Sequence, residues 1–562
     1  MPVKTRNLKL LCAFLLACLL TFLFFFTVPQ VMQLIDTSGN RPSRYLVRLA
    51  VTIFVMMVLF VWLSDKKSYF RFLVSFLVFF PAVIAGFIGL KYGITVSPVF
   101  FADVLATNVK EATSSLFSVQ VVAALFSYSL FIFGLSFILG KLKLDLFPFR
   151  GAKLKIACNV GIGVLFLFSF HVHFYPLRVY YDCIRNLYIA KTETCVFIKN
   201  MTLLENRDDP CTLEKPLPKS ATLFLHIGES VKATHAPMNG YGRNTMSRMM
   251  NEYKKGNLIV FPVAISFATG TRFSVAGMMT SATISDPVIK GSSFIPVITK
   301  MGVNSVALFS SMNPSVPTQH DVGINIFASH AAKRIYSPGP AHSLLPDIRK
   351  VVASADGNSS NFFLYQGEGS HFPYNNYDQN KFSRFTPVNF LKNADYSTTN
   401  AYDNTIVCTD DFIGQVLDML RQKDAVYFYA SDHGEVTGEN GKWGRNGMDD
   451  MNMRNILFFI WVSDSYMRDY PEKFAALKKN RERLGAVSHD YIYHTVLGFY
   501  NIRNREYDDR LDLFSPNAQT FSGPMPQSLP KETTFKALKF DVSGGKKRDY
   551  VKSRNEAGKP RT

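Results

Sequence analysis

The sequence predicts two architectures in series: a membrane domain of five transmembrane helices, then an α/β domain built on a mainly parallel sheet. Three observations carry this. Apolar runs of membrane-crossing length dominate the chain up to Tyr175 and stop there. Beyond that point strand-like runs alternate with helix-like ones, the pattern of a parallel sheet with helices on both faces. Two of those strand-like runs, far apart in the chain, end in metal-ligand residues: ATLFLHIGES at Ala221–Ser230 and AVYFYASDHGE at Ala425–Glu435. Open α/β sheets carry their sites at the carboxyl ends of strands, so the two runs read as two walls of one site.

The chain has 562 residues, 48% of them apolar, and a formal charge of +19. Leu8–Val28, Leu46–Leu63, Phe72–Leu90, Val119–Leu139 and Leu154–Phe174 each approach the ~20 residues that cross a bilayer. A soluble core needs no such series. The first run is too long, and followed by too many others, for a cleaved signal peptide. Basic residues set the orientation. Lys4, Arg6 and Lys9, then Lys66, Lys67 and Arg71, then Lys141, Lys143, Arg150, Lys153 and Lys155 fall on one side, the cytoplasmic one; Arg41, Arg44 and Arg48 dissent. Everything after Tyr175 is then outside, which in a bacterium is the periplasm beyond the inner membrane. The expected divisions are 1–174 for the membrane domain, 175–218 for an interfacial helix and linker, 219–530 for the soluble domain and 531–562 for a basic tail.

In the outer loop Tyr92–Ser118, Asp103, Thr107 and Glu111 share one helical face. That face is either simply solvated or holds a lipid headgroup. Arg178, Tyr180, Tyr181, Arg185 and Tyr188 suit a helix at the headgroup boundary. Strands are expected at Thr222–Ile227, Leu258–Val263, Ser305–Phe309, Phe362–Tyr365, Ala425–Ala430 and Ile456–Val462, with helices at Asn244–Tyr253, Asp403–Gln422 and His489–Tyr500. Outside the membrane only Cys183, Cys195, Cys211 and Cys408 remain, and their spacing declares no disulfide framework. With no nucleic-acid motif, the positive charge points to anionic envelope partners.

Glu229, Asp432 and His433 offer oxygen and nitrogen ligands that suit zinc with one position left open. The nucleophile is expected in Ala264–Met278, where a strand runs through a hydroxyl-rich turn into a helix. Thr271 fits best, with Thr269 and Ser266 behind it. A hydroxyl is a weak nucleophile until metal or base activates it, and helix N-terminal amides cradle phosphoryl groups. His371, in Gly-Ser-His after a strand, is placed to protonate a leaving group or to hold phosphate oxygens. In the Ser488-His489-Asp490 and His494 cluster, either Ser488 and Asp490 are helix caps or the cluster is a second metal or phosphate site. His226, inside a strand, reads as structural.

Together, LFLHIGES, the Asn239–Thr245 string NGYGRNT, Gly369-Ser370-His371, Tyr402-Asp403-Asn404, Ser431–Glu435 and the Ser488–Thr495 segment resemble the membrane phosphoethanolamine transferases of lipid A, lipopolysaccharide core and mobile colistin resistance. The resemblance spans nearly the whole chain and implies an alkaline-phosphatase/sulfatase-like periplasmic domain. It implies Zn2+ on Glu229, Thr271, Asp432 and His433, in one tight site with a second possible. It also implies transfer of phosphoethanolamine from phosphatidylethanolamine, through phospho-Thr271, to a lipopolysaccharide or other anionic glycan, by a monomer in the inner membrane that binds no nucleic acid. Carried over, Thr107 and Glu111 lie near the ethanolamine end with Asp103 beside them, and His371, Glu435 and Asn446 contact substrate. Asn446 stands near a position the family gives to histidine. Where lipid A enzymes flank the nucleophile with a disulfide, this chain has Phe267 and Gly277, which with its few cysteines looks more like the core-sugar members. The competing expectations are a glycerol-phosphate transferase of the lipoteichoic-acid synthase type, a sulfatase-like hydrolase, and a non-catalytic glycan-binding scaffold.

Overall fold

The computed structural model describes residues 3–27, 42–64, 66–92, 119–142, 156–157, 159–161, 175–311, 319–355, 358–372, 374–375, 377–388, 396–439, 443–444, 451–523 and 539–541. The chain divides into two compact units, Met1–Thr192 and Glu193–Thr562.

In the first unit four long helices occupy predicted positions: α1 (Val3–Thr27), α2 (Pro42–Ser64), α3 (Ser68–Tyr92) and α4 (Val119–Leu142). A core of Leu59, Phe60, Phe79, Ile132 and Leu139 joins α2, α3 and α4. Arg71 of α3 donates to the Ser136 carbonyl of α4 at 3.0 Å. Among the described residues one segment, Ala123–Leu142, is by itself long and apolar enough to cross a membrane; α1, α2 and α3 contribute shorter apolar runs. Most of the expected fifth span, and the loop carrying Asp103, Thr107 and Glu111, lie outside the described residues. Helix α5 (Tyr175–Glu205) follows, and Tyr181, Ile184 and Tyr188 on it are exposed.

The second unit is built on a seven-stranded sheet. Its strands in chain order are β1 (Thr222–Gly228), β2 (Leu258–Val260), β3 (Asn304–Ser310), β4 (Lys333–Ser337), β5 (Asn361–Gln366), β6 (Ala425–Ser431) and β7 (Phe458–Val462). In space they run β2-β7-β6-β1-β5-β3-β4. The central and right-hand pairs are parallel, as expected, whereas β7 runs antiparallel to both neighbours, so the sheet is mixed. Edge strand β4 was not expected: KRIYS opens on two charges and lacks a buried strand's apolar run. β2 stops at Val260, just ahead of Pro262, which has no amide to give a ladder.

Side chains of β1 divide by the two-residue period of a strand. Leu223, Leu225 and Ile227 enter one core with Phe362, Leu364, Val426 and Phe428, while Phe224 enters the other with Phe363, Tyr365 and Tyr427. Both faces are covered, which is why the run is apolar throughout. His226, on the second face, lies 2.6 Å from the Tyr427 hydroxyl between Tyr365 and Tyr429. Burial pulls its pKa down to about 3, so it is a neutral packing residue. The helices that bear on the site are α6 (Ser247–Lys255), α7 (Thr271–Met279), α8 (Tyr396–Leu420) and α9 (Asp490–Phe499).

Candidate active site

Glu229 and Asp432 are the first residues beyond two adjacent parallel strands. The register pairing Gly228 of β1 with Ser431 of β6 sets them side by side, and the Asp432 amide donates to the Gly228 carbonyl at 2.8 Å. Ser230 then takes a left-handed backbone, φ 60°, which costs free energy for a residue other than glycine. Three bonds hold it there. Its amide donates to Asp432 Oδ1 (3.0 Å), its hydroxyl to Glu229 Oε1 (2.7 Å), and its carbonyl accepts from the buried Tyr402 hydroxyl (2.7 Å).

His433 Nδ1 lies 2.7 Å from the Gly434 carbonyl. A carbonyl only accepts, so Nδ1 carries a proton, leaving Nε2 as the nitrogen that a metal ligand would present. That nitrogen is 3.5 Å from Glu229 Oε1 and 3.4 Å from Asp432 Oδ2. Two carboxylates and an imidazole lone pair repel one another out of water, and a bound cation reverses that balance. All three residues are buried, with ligand atoms within 4.8 Å of one another, and the oxygen, oxygen, nitrogen donor set fits a divalent transition metal.

Thr271 opens α7, with Gly270 as its N-cap. Its buried hydroxyl donates to Glu229 Oε2 at 3.2 Å, so the expected nucleophile meets the Glu229–Asp432–His433 cluster. The turn before it is tightly tied. Ser266 and Ser274 hydroxyls both donate to the Ala268 carbonyl, at 2.8 and 2.9 Å, and buried Arg454 donates to the carbonyls of Ser266 and Phe267. Ser266 therefore shapes the turn.

The His371 loop packs on the same strand end. The Ser370 amide donates to the Glu229 carbonyl at 3.0 Å. Gly369, at φ 43°, lies so close that a Cβ would sit 3.1 Å from the Glu229 carbonyl oxygen, so only glycine fits without displacement. His371 is half-buried, and its Nδ1 lies 2.7 Å from the Phe372 carbonyl. Asn446 lies outside the described residues. Glu435 is fully buried and bears electrostatically on Lys232 and Tyr402.

Behind the strand ends lies a network the sequence did not announce. Lys232, buried, donates to Thr437 Oγ1 at 2.6 Å and pairs with Glu439. Burial lowers its pKa, opposed chiefly by the Glu439 charge. Asp403 accepts from Tyr241 and Arg243 and faces His235 Nδ1 at 2.6 Å. Tyr402, beside it, gives its hydroxyl to Ser230 and accepts from the Lys232 amide at 3.1 Å. Polar Tyr402, Asp403 and Asn404 inside an apolar helix pattern were the available signal.

His489 and His494 both bond to backbone groups. His494 Nδ1 accepts from the Asp508 amide at 3.0 Å. His489 accepts from the Phe267 amide at Nδ1 (3.0 Å) and faces the Ser431 carbonyl with Nε2 (2.8 Å). Burial lowers the pKa of each to about 4. Cys183, Cys195, Cys211 and Cys408 are all unbridged.

A family model described as Sulfatase matches residues 221–502. Among known proteins, the Escherichia coli phosphatidylethanolamine transferase Mcr-2 is 26% identical over 61% of this chain and 66% of its own length. The corresponding figures for Mcr-1, from the same organism, are 23%, 87% and 93%; the chain thus spans just under two thirds of one relative and most of the other. Among solved structures, the integral membrane lipooligosaccharide phosphoethanolamine transferase A from Neisseria meningitidis aligns with a TM-score of 0.57 at 19% identity, over 91% of this chain and 98% of that one. That likeness is one of fold.

Proposed function

The chain belongs to the sulfatase family, its match covering residues 221–502, and on that premise we propose that it is a phosphoethanolamine transferase working through Thr271. One observation carries the reading: the Thr271 hydroxyl, at the start of α7, donates to Glu229 inside the Glu229–Asp432–His433 cluster. Phosphatidylethanolamine is the donor and a lipopolysaccharide sugar the acceptor. A core sugar is favoured over lipid A on the resemblance described above, which implies a disulfide in lipid A enzymes where this chain has Phe267 and Gly277. The enzyme acts as a monomer with its first 174 residues in the inner membrane and the catalytic domain in the periplasm.

Glu229, Asp432 and His433, joined by Thr271, would hold Zn2+, which when bound lowers the hydroxyl pKa and neutralises charge on phosphoryl oxygens. In the first half-reaction a bond forms between Thr271 Oγ1 and phosphorus as the bond from phosphorus to the diacylglycerol oxygen breaks. The hydroxyl proton leaves along its bond to Glu229 Oε2, and His371, as imidazolium, gives a proton to the departing diacylglycerol oxygen. In the second, the acceptor hydroxyl attacks phosphorus, its proton passes to His371, and Thr271 is released and takes back the proton held by Glu229. Amides at the start of α7 favour the phosphoryl group's negative charge. Asp103, Thr107, Glu111, Glu435 and Asn446 are assigned to substrate binding.

Purified protein with zinc and fluorescent phosphatidylethanolamine should release diacylglycerol, and Thr271→Ala should not. Equal release by the two proteins rejects the reading.

A further inference from the structure

We infer that His489 is a positioning residue that fixes the nucleophile turn against the metal-binding strand end; the inference rests on the reading of Thr271 and the Glu229–Asp432–His433 cluster given above. Four observations support it. His489 is the N-cap residue of α9 yet makes no side-chain cap there; its own amide donates to the Ile265 carbonyl, and its ring turns away to span two other segments.

Its two ring nitrogens are committed in opposite senses. The Phe267 amide can only donate, so Nδ1 must be a lone pair; the Ser431 carbonyl can only accept, so Nε2 carries the hydrogen. One neutral tautomer satisfies both, and protonation of the ring breaks the first bond.

The segments it joins are the two whose spacing the reaction depends on. Ser431 immediately precedes Asp432, and its hydroxyl donates to the His433 carbonyl and accepts from the Val231 amide. Phe267 begins the turn to Thr271, and the Ala268 amide and carbonyl are both bonded to the Ser274 hydroxyl within α7. A shift at Phe267 therefore carries α7 and Thr271 with it.

The nucleophile segment has other ties: the short parallel pairing of Ala264–Ile265 with Val487–Ser488, the Ile456 amide on the Ala264 carbonyl, Asn455 and Arg454, and the Thr271 hydroxyl on Glu229. His489 is a direct side-chain link between the Phe267 and Ser431 backbones.

The test uses full-length protein in detergent, with donor-lipid turnover, bound zinc and thermal melting measured for wild type, His489→Ala, His489→Gln and Thr271→Ala. Gln carries an acceptor and a donor on one planar group, as the ring does; Ala carries neither. His489→Ala should lower kcat about 100-fold, the cost of a misplacement near 1 Å, with KM for the lipid and zinc content unchanged. His489→Gln should recover to within about tenfold of wild type, since each ~1.4 kcal/mol regained is a factor of ten. Should His489→Ala fail to fold, His489→Met replaces it as the bulky variant without the paired bonds. Wild-type kcat in the alanine or methionine variant overturns the inference, as does a glutamine variant no faster than they are, or a loss that only follows lost zinc. An active Thr271→Ala instead removes the reading beneath it, and an inactive Thr271→Ala beside an unaffected His489→Ala removes this inference alone.

Discussion

Tyr402 shows how much one hydroxyl holds at the site. It donates to the Ser230 carbonyl and accepts from the Lys232 amide, on either side of the turn that follows Glu229. Tyr402→Phe leaves both backbone groups buried without that partner, a loss of about 1–3 kcal/mol. Denaturant unfolding should show this as a lower midpoint with an unchanged slope, and zinc titration should show weaker binding. The three clustered side chains were legible in the sequence and their supports were not. Glu229, Asp432 and His433 end apolar runs, which the sequence displays directly. Ser230, Lys232 and Ser431 matter because parallel strands bring residues some 200 positions apart into contact, Tyr402 because it reaches their turn from α8, and no local pattern carries either placement.

Helix α7 carries a glycine, Gly277, whose absent Cβ is occupied by the ring of Phe267; an added Cβ would lie 2.3 Å from the Phe267 Cγ. Inside a helix Gly→Ala ordinarily stabilises by about 1 kcal/mol. Here overpacking should reverse the sign, Gly277→Ala destabilising by about 1–3 kcal/mol, and Phe267→Leu in the same chain should recover part of that; thermal melts of the single and double variants check it. A second element prediction concerns the end of α5. Glu205 is buried and accepts from the Ser293 amide and hydroxyl. Burial raises its carboxyl to about 8, against the opposing pull of those bonds. A raised carboxylate binds its proton more tightly folded than unfolded, so stability falls as pH rises from the ordinary carboxylate range toward 8. Glu205→Gln should therefore gain on wild type in melting temperature across pH 5 to about 8, and a constant difference would contradict the assignment. Expected helices and strands mostly match because their apolar periods are strong. The antiparallel course of β7 and the edge strand β4 escaped, since strand direction leaves no trace in a buried apolar run and KRIYS has little such run.

Across the molecule, the chain divides between Thr192 and Glu193, inside α5 and beyond Tyr175 where the apolar runs stop, with an apolar helical unit first and a sheet-based unit after it. On the proposed reading, a cation held by the buried acids and imidazole stabilises the second unit. Chelation should lower the wild-type melting temperature and zinc should restore it, by about 2.7 kcal/mol at a hundredfold excess over the dissociation constant; Glu229→Ala should respond to neither. The most direct test of the central claim is mass spectrometry of the Thr271 peptide after zinc-loaded protein meets phosphatidylethanolamine without an acceptor and is quenched. A phosphoethanolamine adduct should sit on Thr271 and disappear when acceptor glycan is added. Diacylglycerol release with an unmodified Thr271, or an adduct on another side chain, would contradict that claim.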